Sequence, residues 1–162
     1  MDDEKSRLGD WEADTVIGKG HQQVLVSLTD RQSKFILLAK VKRKTNRLVK
    51  AAIIAILKPY ADKVKIITSD NGKEFVAHEE IVAAVEADFY FAHPYASWER
   101  GLNENSNGLV RQYSPKGSDF TAITQSEIEM MMECLSHRPR ITLGYQTTTA
   151  VFFTLRDVAL RC

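Results

Sequence analysis

The stretch that decides the fold is Val64–Gly72, which reads VKIITSDNG. Residues 64–68 predict a short buried strand that follows a crossover helix, as in a parallel sheet. The turn after the strand contains Asp70, and the two residues that follow, Asn71 and Gly72, are typical of tight turns. Because Gly72 lets the backbone fold tightly, we expect the Asp70 carboxylate just past the carboxyl end of the strand, where ligand sites lie in such sheets. The stretch therefore predicts an α/β fold with a functional site at this edge.

Three strands are expected before this stretch, and helices alternate with strands around it. Short turns between the first three strands predict an antiparallel meander, and apolar residues at helical spacing predict a helix that covers the sheet. The predicted strands are residues 11–18, 22–29, 34–41, 64–68 and 89–91; the predicted helices are one that Thr45 or Asn46 caps and Pro59 ends, and residues 77–87, 102–113 and 126–136. Without a linker or repeat, we expect a tail at residues 1–8 and a single domain at residues 9–162.

Composition narrows the class of protein. The chain has 162 residues, 44% of them hydrophobic, and 22 basic against 21 acidic side chains give a net charge of +1. Any contact with nucleic acid must therefore be local, because the whole chain is not basic. Two distant cysteines do not form a disulfide framework, and the acidic start resembles no signal peptide. We expect a cytoplasmic protein that is neither secreted nor anchored to a membrane.

Three carboxylates stand in contexts that predict a metal site. Asp14 lies on the first strand, Asp70 follows the fourth, and Glu104 lies on the helix after the fifth. In this order of elements the three side chains can meet at one edge of the sheet, and oxygen-only coordination suits Mg²⁺. Each acid alone is compatible with an ordinary turn or exposed helix position. Period-two alternation also places Asp10 and Glu12 on the face of Asp14, so the pattern alone does not choose among these three.

Short motifs around the acids carry a resemblance to a known family. They are Trp11-x-x-Asp14, Ser69-Asp70-Asn71-Gly72-x-x-Phe75, Gly101-x-x-Glu104, Pro115-Lys116-Gly117 and Arg138-Pro139-Arg140. With them, residues 9–153 resemble the catalytic core of DDE transposases and retroviral integrases, which have a ribonuclease H-like fold. The second and third acids are 34 positions apart (104 − 70), a spacing similar to that of the insertion-sequence-thirty family.

The resemblance implies a five-stranded mixed sheet flanked by helices and a metal-dependent reaction on DNA. Asp14, Asp70 and Glu104 would be the catalytic residues and would hold two Mg²⁺ or Mn²⁺ ions, because the family acid stands three residues after the tryptophan. Glu12 and Asn71 would lie behind these ligands and orient them. The implied activity is DNA strand cleavage and strand transfer in insertion-sequence transposition, by a homo-oligomer assembled on transposon ends and target DNA.

Two groups of side chains are candidates for DNA contact. Asn107 and Arg111 follow Glu104 at i+3 and i+7, so the three form one stripe on a helix face. Residues 40–50 contain six basic side chains and no acid, and from this run we select Lys42, Arg43 and Lys44. The alternative for each of these residues is an ordinary solvated side chain.

Two other functions share parts of this sequence pattern. Relatives carry an amino-terminal helix-turn-helix region that this sequence does not show, so the chain is expected to be an excised core or a truncated copy that binds DNA weakly. An inactive DNA-binding or dimerisation remnant is one alternative, although the intact acids argue against it. A ribonuclease H-type nuclease is the other, and the integrase-like contexts of Asp70 and Glu104 argue against that.

Overall fold

The computed structural model describes residues 8–21, 23–92 and 101–153, with the backbone alone at 101–104. The strands are β1 (Asp10–Ile17), β2 (Val24–Asp30), β3 (Ile36–Val41), β4 (Ile66–Ser69) and β5 (Asp88–Phe91). The helices are α1 (Asn46–Leu57), α2 (His78–Val85), α3 (Gly101–Tyr113) and α4 (Gln125–Ser136), and short 3₁₀ turns occupy Lys19–His21, Lys58–Lys63, Lys73–Phe75 and Ile141–Leu143. The described part of the chain contains no helix long and apolar enough to cross a membrane.

The strands form one five-stranded mixed sheet in the order β3-β2-β1-β4-β5. The first three strands are the predicted antiparallel meander, and β4 pairs in parallel with both β1 and β5. β4 begins two residues later than predicted, because Lys65 N–H bonds to the Gly9 carbonyl oxygen at 2.8 Å before the regular ladder starts. The fold prediction of a mixed sheet flanked by helices is confirmed.

Asp30, the last residue of β2, connects the β2–β3 turn with the start of β1. Its carboxylate is fully buried and accepts hydrogen bonds from Ser33 N–H and Ser33 Oγ at 2.8 and 2.7 Å and from Gly9 N–H at 2.8 Å. Burial raises the pKa of Asp30, and these hydrogen bonds offset part of the rise. The β2–β3 turn is therefore tied to the residue that precedes β1, and β3 begins only at Ile36, two residues later than predicted.

The two faces of the sheet bury separate cores because side chains alternate along each strand. On one face Trp11, Ala13 and Ile67 pack with α1 and α2. The other face, which carries Val16, Leu25 and Leu38, packs with α3 and α4. Alternation places Asp14 and its β2 partner Ser27 on this second face, in a polar part of the layer that also carries the buried Asp10 and Glu12.

Helix α1 forms where the sequence predicts it. The Thr45 side chain caps it by accepting a hydrogen bond from Leu48 N–H, and the buried residues Val49, Ile53 and Leu57 recur at helical spacing. Pro59 stands at the start of the 3₁₀ turn that follows. The helix thus covers the first face and lets the chain cross over from β3 to the parallel strand β4.

The carboxyl-terminal part of the described chain packs into the first core. Residues 148–153 are helical, and the fully buried Phe152 stacks on Phe35 with ring centroids 4.4 Å apart. The Trp11 ring contacts the Phe152 ring edge-on with centroids 5.8 Å apart, and the Lys63 ammonium lies 4.3 Å from the Phe152 ring centroid. This segment therefore contributes to the same core as β1.

Phe152→Ala should lower the free energy of unfolding by about 3–5 kcal/mol, because it removes a buried ring and leaves a cavity. The matched control is Phe153→Ala, whose ring is 37% exposed and should cost only about 1–2 kcal/mol. Urea denaturation of the two variants measures both values. Equal costs would contradict the assignment of Phe152 to the core.

Candidate active site

The Asp14 carboxylate accepts hydrogen bonds from a backbone donor and a side-chain donor. Its Oδ1 accepts from Thr15 N–H at 2.8 Å, and its Oδ2 accepts from the Asn107 amide nitrogen at 2.8 Å. The amide oxygen of Asn107 accepts in turn from Ser27 Oγ at 3.4 Å. One amide thus joins α3 to both β1 and β2, and it fixes the orientation of the Asp14 carboxylate.

Asp70 stands at the carboxyl end of β4, and the turn that follows orients its side chain. Gly72 N–H donates to Asp70 Oδ1 at 3.2 Å, and Ser69 Oγ donates to the Asp70 carbonyl oxygen at 2.9 Å. The β1–β4 ladder ends at the pair Glu12 and Thr68. The regular ladder stops before Asp14 and Asp70, but the same register continued by two residues would pair these positions on one face, since neighbouring strands lie about 4.8 Å apart. Convergence of the two carboxylates remains a prediction.

Position 104 lies inside α3, three residues before Asn107. Its side chain lies outside the described residues, so the structure gives no contact for the third predicted acid. Residues three apart in a helix share a face, and Asn107 is the residue of α3 that bonds to Asp14. The backbone at position 104 is therefore one helical turn away from that contact.

The side chains at this edge fit a divalent cation by their chemistry. Asp14 and Asp70 supply hard carboxylate oxygens, as Mg²⁺ and Mn²⁺ require. The thiol of Cys134, the free cysteine that the structure describes, is exposed on α4. No group of three acidic, histidine or cysteine side chains with metal-binding geometry occurs among the residues whose side chains are described, and Glu104 is not one of those residues.

The two residues predicted to lie behind the ligands differ in their surroundings. Glu12 is 2% exposed and its Oε1 lies 3.3 Å from Arg31 Nε. Asn71 is exposed, and the hydrogen bond that the structure shows to the Asp70 carboxylate comes from Gly72 N–H. Gly72 N–H is therefore one donor that orients Asp70, and orientation of the ligands by Glu12 and Asn71 remains a prediction.

Some of the basic side chains at residues 40–50 form ion pairs or hydrogen bonds inside the chain, and others have no acid nearby among the described residues. Lys40 donates to the carbonyl oxygens of Phe120 and Ile123, and Lys44 and Lys50 form ion pairs with Glu74 and Glu80. Within the described residues, no acid lies within ion-pair distance of Lys42, Arg43 or Arg47. An open groove of about 600 Å³ borders this run and is lined by His21, Gln23, Lys42, Arg43, Lys44 and Thr45.

Arg111 is bonded inside the chain and is not a freely solvated side chain. Its Nη2 donates to the Ile17 carbonyl oxygen at 3.0 Å and its Nη1 to the Pro115 carbonyl oxygen at 3.5 Å. The guanidinium therefore ties the end of α3 to the end of β1. Its predicted contact with DNA remains a prediction, and Asn107, predicted as a DNA contact too, has its amide engaged with Asp14 and Ser27.

Sequence reasoning missed Glu74, which is 6% exposed in the turn after Asp70. Its Oε1 lies 3.0 Å from Lys44 Nζ and 3.5 Å from Thr15 Oγ1. The available signal was an acid one residue before the apolar Phe75, in a segment that carries Asp70. Nothing local in the sequence indicates the partner, because Lys44 stands 30 positions earlier.

Comparisons with known proteins identify the family of this chain. Residues 5–97 match the family described as integrase core domain. The transposase for insertion sequence element IS4351 of Bacteroides fragilis is 44% identical over 148 residues, which are 91% of this chain and 45% of the relative. The transposase InsI for insertion sequence element IS30A of Escherichia coli K12 is 34% identical over 159 residues, 98% of this chain and 41% of that protein. The chain thus spans less than half the length of these relatives.

Solved structures share the fold. The crystal structure of the catalytic core domain of BIV integrase superposes with a TM-score of 0.73 at 17% identity, covering 94% of this chain and 98% of that one. The intasome of simian T-cell lymphotropic virus in complex with PP2A regulatory subunit B56 gamma gives 0.72 at 15% identity, covering 91% of this chain and 55% of that one. The fold is therefore the predicted ribonuclease H-like fold, and the chain belongs to the integrase core domain family, with insertion-sequence transposases among its relatives.

Proposed function

We propose that this chain is the catalytic core of a DDE transposase that cleaves DNA strands and joins transposon ends to target DNA. The observation that carries the proposal is the hydrogen bond from Asn107 to Asp14. It docks α3, the helix of Glu104, on the face of β1 that bears Asp14, and the parallel β1–β4 register supports the proposal that Asp70 lies at the same edge. Family membership supports a reaction on DNA, since the named relatives are transposases.

Membership of the integrase superfamily implies dependence on divalent metal. We propose Mg²⁺ or Mn²⁺, two ions per active complex, held by Asp14, Asp70 and Glu104. When bound, such ions activate the attacking oxygen and offset the charge that develops on the leaving oxygen of an in-line displacement. The protein orients the carboxylate ligands by hydrogen bonds. Asn107 and Thr15 N–H fix the two oxygens of Asp14, and Gly72 N–H fixes one oxygen of Asp70.

DNA is the proposed partner, and the basic groove is its proposed contact surface. The cations Lys42 and Arg43 line the groove, and Arg47 lies in the first turn of α1. Within the described residues, none of the three has an acid within ion-pair distance. Because Lys44 and Arg111 are engaged inside the chain, we assign the main phosphate contacts to the three free cations. We also propose assembly as a homo-oligomer on DNA in the bacterial cytoplasm, supported by an intasome among the structural neighbours and by bacterial transposases among the relatives.

Asp70→Asn should abolish metal-dependent cleavage of transposon-end DNA, because it removes a ligand charge at nearly constant shape. Folding should persist, and the melting temperature without metal should rise slightly, since repulsion between Asp14 and Asp70 is relieved. Asp62→Asn is the control, because Asp62 is exposed and lies in the 3₁₀ turn before the amino end of β4, whereas Asp70 follows its carboxyl end. An RNA–DNA hybrid assayed in parallel separates a ribonuclease from a transposase. Undiminished magnesium-dependent cleavage by the purified Asp70→Asn protein would refute the assignment.

DNA binding should be weak, insensitive to sequence and steeply dependent on salt. Counterion release gives log affinity a slope of roughly −0.9 per neutralised phosphate, so three contacts predict a slope of about −3 against log salt. The double variant Lys42→Ala/Arg43→Ala should reduce the slope to about −1, whereas Lys58→Ala, an exposed lysine at the far end of α1, should leave it unchanged. Salt titrations with transposon-end and scrambled duplexes measure both. Tight, end-specific binding at physiological salt would contradict this account.

Arg111→Ala should act mainly on stability, because it removes the guanidinium donor to the Ile17 carbonyl oxygen, whereas the Pro115 carbonyl oxygen keeps its donors from Ser118. We expect a loss of about 1–3 kcal/mol in the free energy of unfolding and an unchanged salt slope of DNA binding. Arg47→Ala, which removes an exposed arginine, should change stability by less than about 0.5 kcal/mol. Chemical denaturation beside the salt titration distinguishes these effects. A lower slope at unchanged stability would identify Arg111 as a phosphate contact instead.

A further inference from the structure

Glu74 links three segments that meet at the candidate active site. It lies in the 3₁₀ turn Lys73–Phe75, four residues after Asp70, and only 6% of it is exposed. Its Oε1 lies 3.0 Å from Lys44 Nζ, just before α1, and 3.5 Å from Thr15 Oγ1 on β1. Alternation places the Thr15 side chain on the face opposite to Asp14, so Glu74 contacts β1 from behind the face that bears the acids.

The same carboxylate packs against the turn that orients Asp70. A Cβ built on Gly72 would lie 2.5 Å from Glu74 Oε2 and 2.8 Å from its Oε1. Gly72 has φ −74° and ψ 149°, a conformation open to any residue, so glycine is required here for space and not for backbone freedom. Burial and the ion pair with Lys44 hold the carboxylate in place. A side chain at position 72 would therefore have to displace it.

Besides Lys44, Glu74 lies against Thr15 and Gly72, and the backbone N–H group of each of these two residues is a donor to one of the acids. Thr15 N–H bonds to Asp14 Oδ1 at 2.8 Å, and Gly72 N–H bonds to Asp70 Oδ1 at 3.2 Å. One buried carboxylate thus lies between the two backbone segments whose N–H groups orient the two carboxylates. Burying a charge at this point is unfavourable unless the charge is paired, and Lys44 supplies the pairing.

We propose that Glu74 is a positioning residue for metal binding, which sets the spacing and orientation of Asp14 and Asp70 through Thr15 and Gly72. Lys44 is then a support for Glu74 and not a phosphate contact. This inference rests on the proposed function, because it takes Asp14 and Asp70 as the residues that bind metal. Glu74 itself touches neither metal nor DNA in this account.

The test is the dissociation constant for Mn²⁺, measured from the electron paramagnetic resonance signal of free ion, with the melting temperature recorded for each protein. Glu74→Ala should weaken Mn²⁺ binding by about 10- to 100-fold, the usual effect of removing a group that supports metal ligands. Glu74→Gln keeps the contact with Thr15 and the packing on Gly72, so it should weaken binding less. Glu80→Gln is the matched control, because it breaks the Lys50 ion pair between α1 and α2 and should leave Mn²⁺ affinity unchanged.

Gly72→Ala provides an independent arm. Its methyl group should push the Glu74 carboxylate away and weaken Mn²⁺ binding, although the backbone tolerates alanine. In the double variant Gly72→Ala/Glu74→Ala the clash is absent, so the combined loss should be much smaller than the product of the two single losses. A double variant whose loss equals that product would overturn the proposal, because the two residues would then act separately.

The outcomes separate this inference from the proposed function. One outcome is that wild-type protein binds Mn²⁺, that Asp70→Asn abolishes this binding, and that folded Glu74 variants keep wild-type affinity. This outcome would overturn the role of Glu74 alone. Wild-type protein with no Asp70-dependent Mn²⁺ binding would overturn the proposed function and this inference with it. If Glu74→Gln binds Mn²⁺ more weakly but has the same melting temperature as Glu80→Gln, the positioning role is supported. A merely structural role would not change metal affinity at constant stability.

Discussion

The parallel pairing of β1 with β4 is the constraint on which the rest of the structure depends. The Trp11 indole donates to the Lys63 carbonyl oxygen at 3.1 Å, which ties β1 to the segment that leads into β4. The register that follows pairs Trp11 with Ile67 and Glu12 with Thr68. Because paired residues in a sheet point to the same side, this register, continued by two residues, would direct Asp14 and Asp70 to one face. A slip of one residue would move one acid to the opposite face, against α1.

The two faces of the sheet differ in the polarity of the side chains that they bury. The first, with Trp11, Ile67 and Phe152, is apolar and supplies most of the buried core. The second is apolar toward α4 but polar near α3, where the Asn107 amide joins Asp14 to Ser27. Buried polar groups are costly unless they are hydrogen-bonded. Burial of this polar end is therefore offset by specific bonds, and these bonds also orient the carboxylate that the proposed chemistry needs.

Local patterns predicted the elements, and long-range contacts explain what they missed. Helical spacing, the Thr45 cap and Pro59 gave α1 with its amino-terminal end correct, and the alternation in the first three strands gave the meander. The order of the three acidic contexts gave the family. No local pattern predicted the contact of Lys44 with Glu74, which is 30 positions away along the chain. Nor did any predict the contact of Arg111 with the Ile17 carbonyl oxygen, 94 positions away. Such contacts depend on how elements pack together, so single-sequence patterns left these basic residues open as DNA contacts.

The central claim is that Asp14 and Asp70 converge to hold one divalent cation and that Glu104 completes the site. The most direct measurement is a crystal structure of the chain with Mn²⁺, read from the anomalous difference map. The account predicts a peak bonded at about 2.1 Å to a carboxylate oxygen from both Asp14 and Asp70, with the Glu104 carboxylate adjoining it. A separation of more than roughly 8 Å between their closest carboxyl oxygens would contradict the account, because the two could not ligate one ion at such bond lengths.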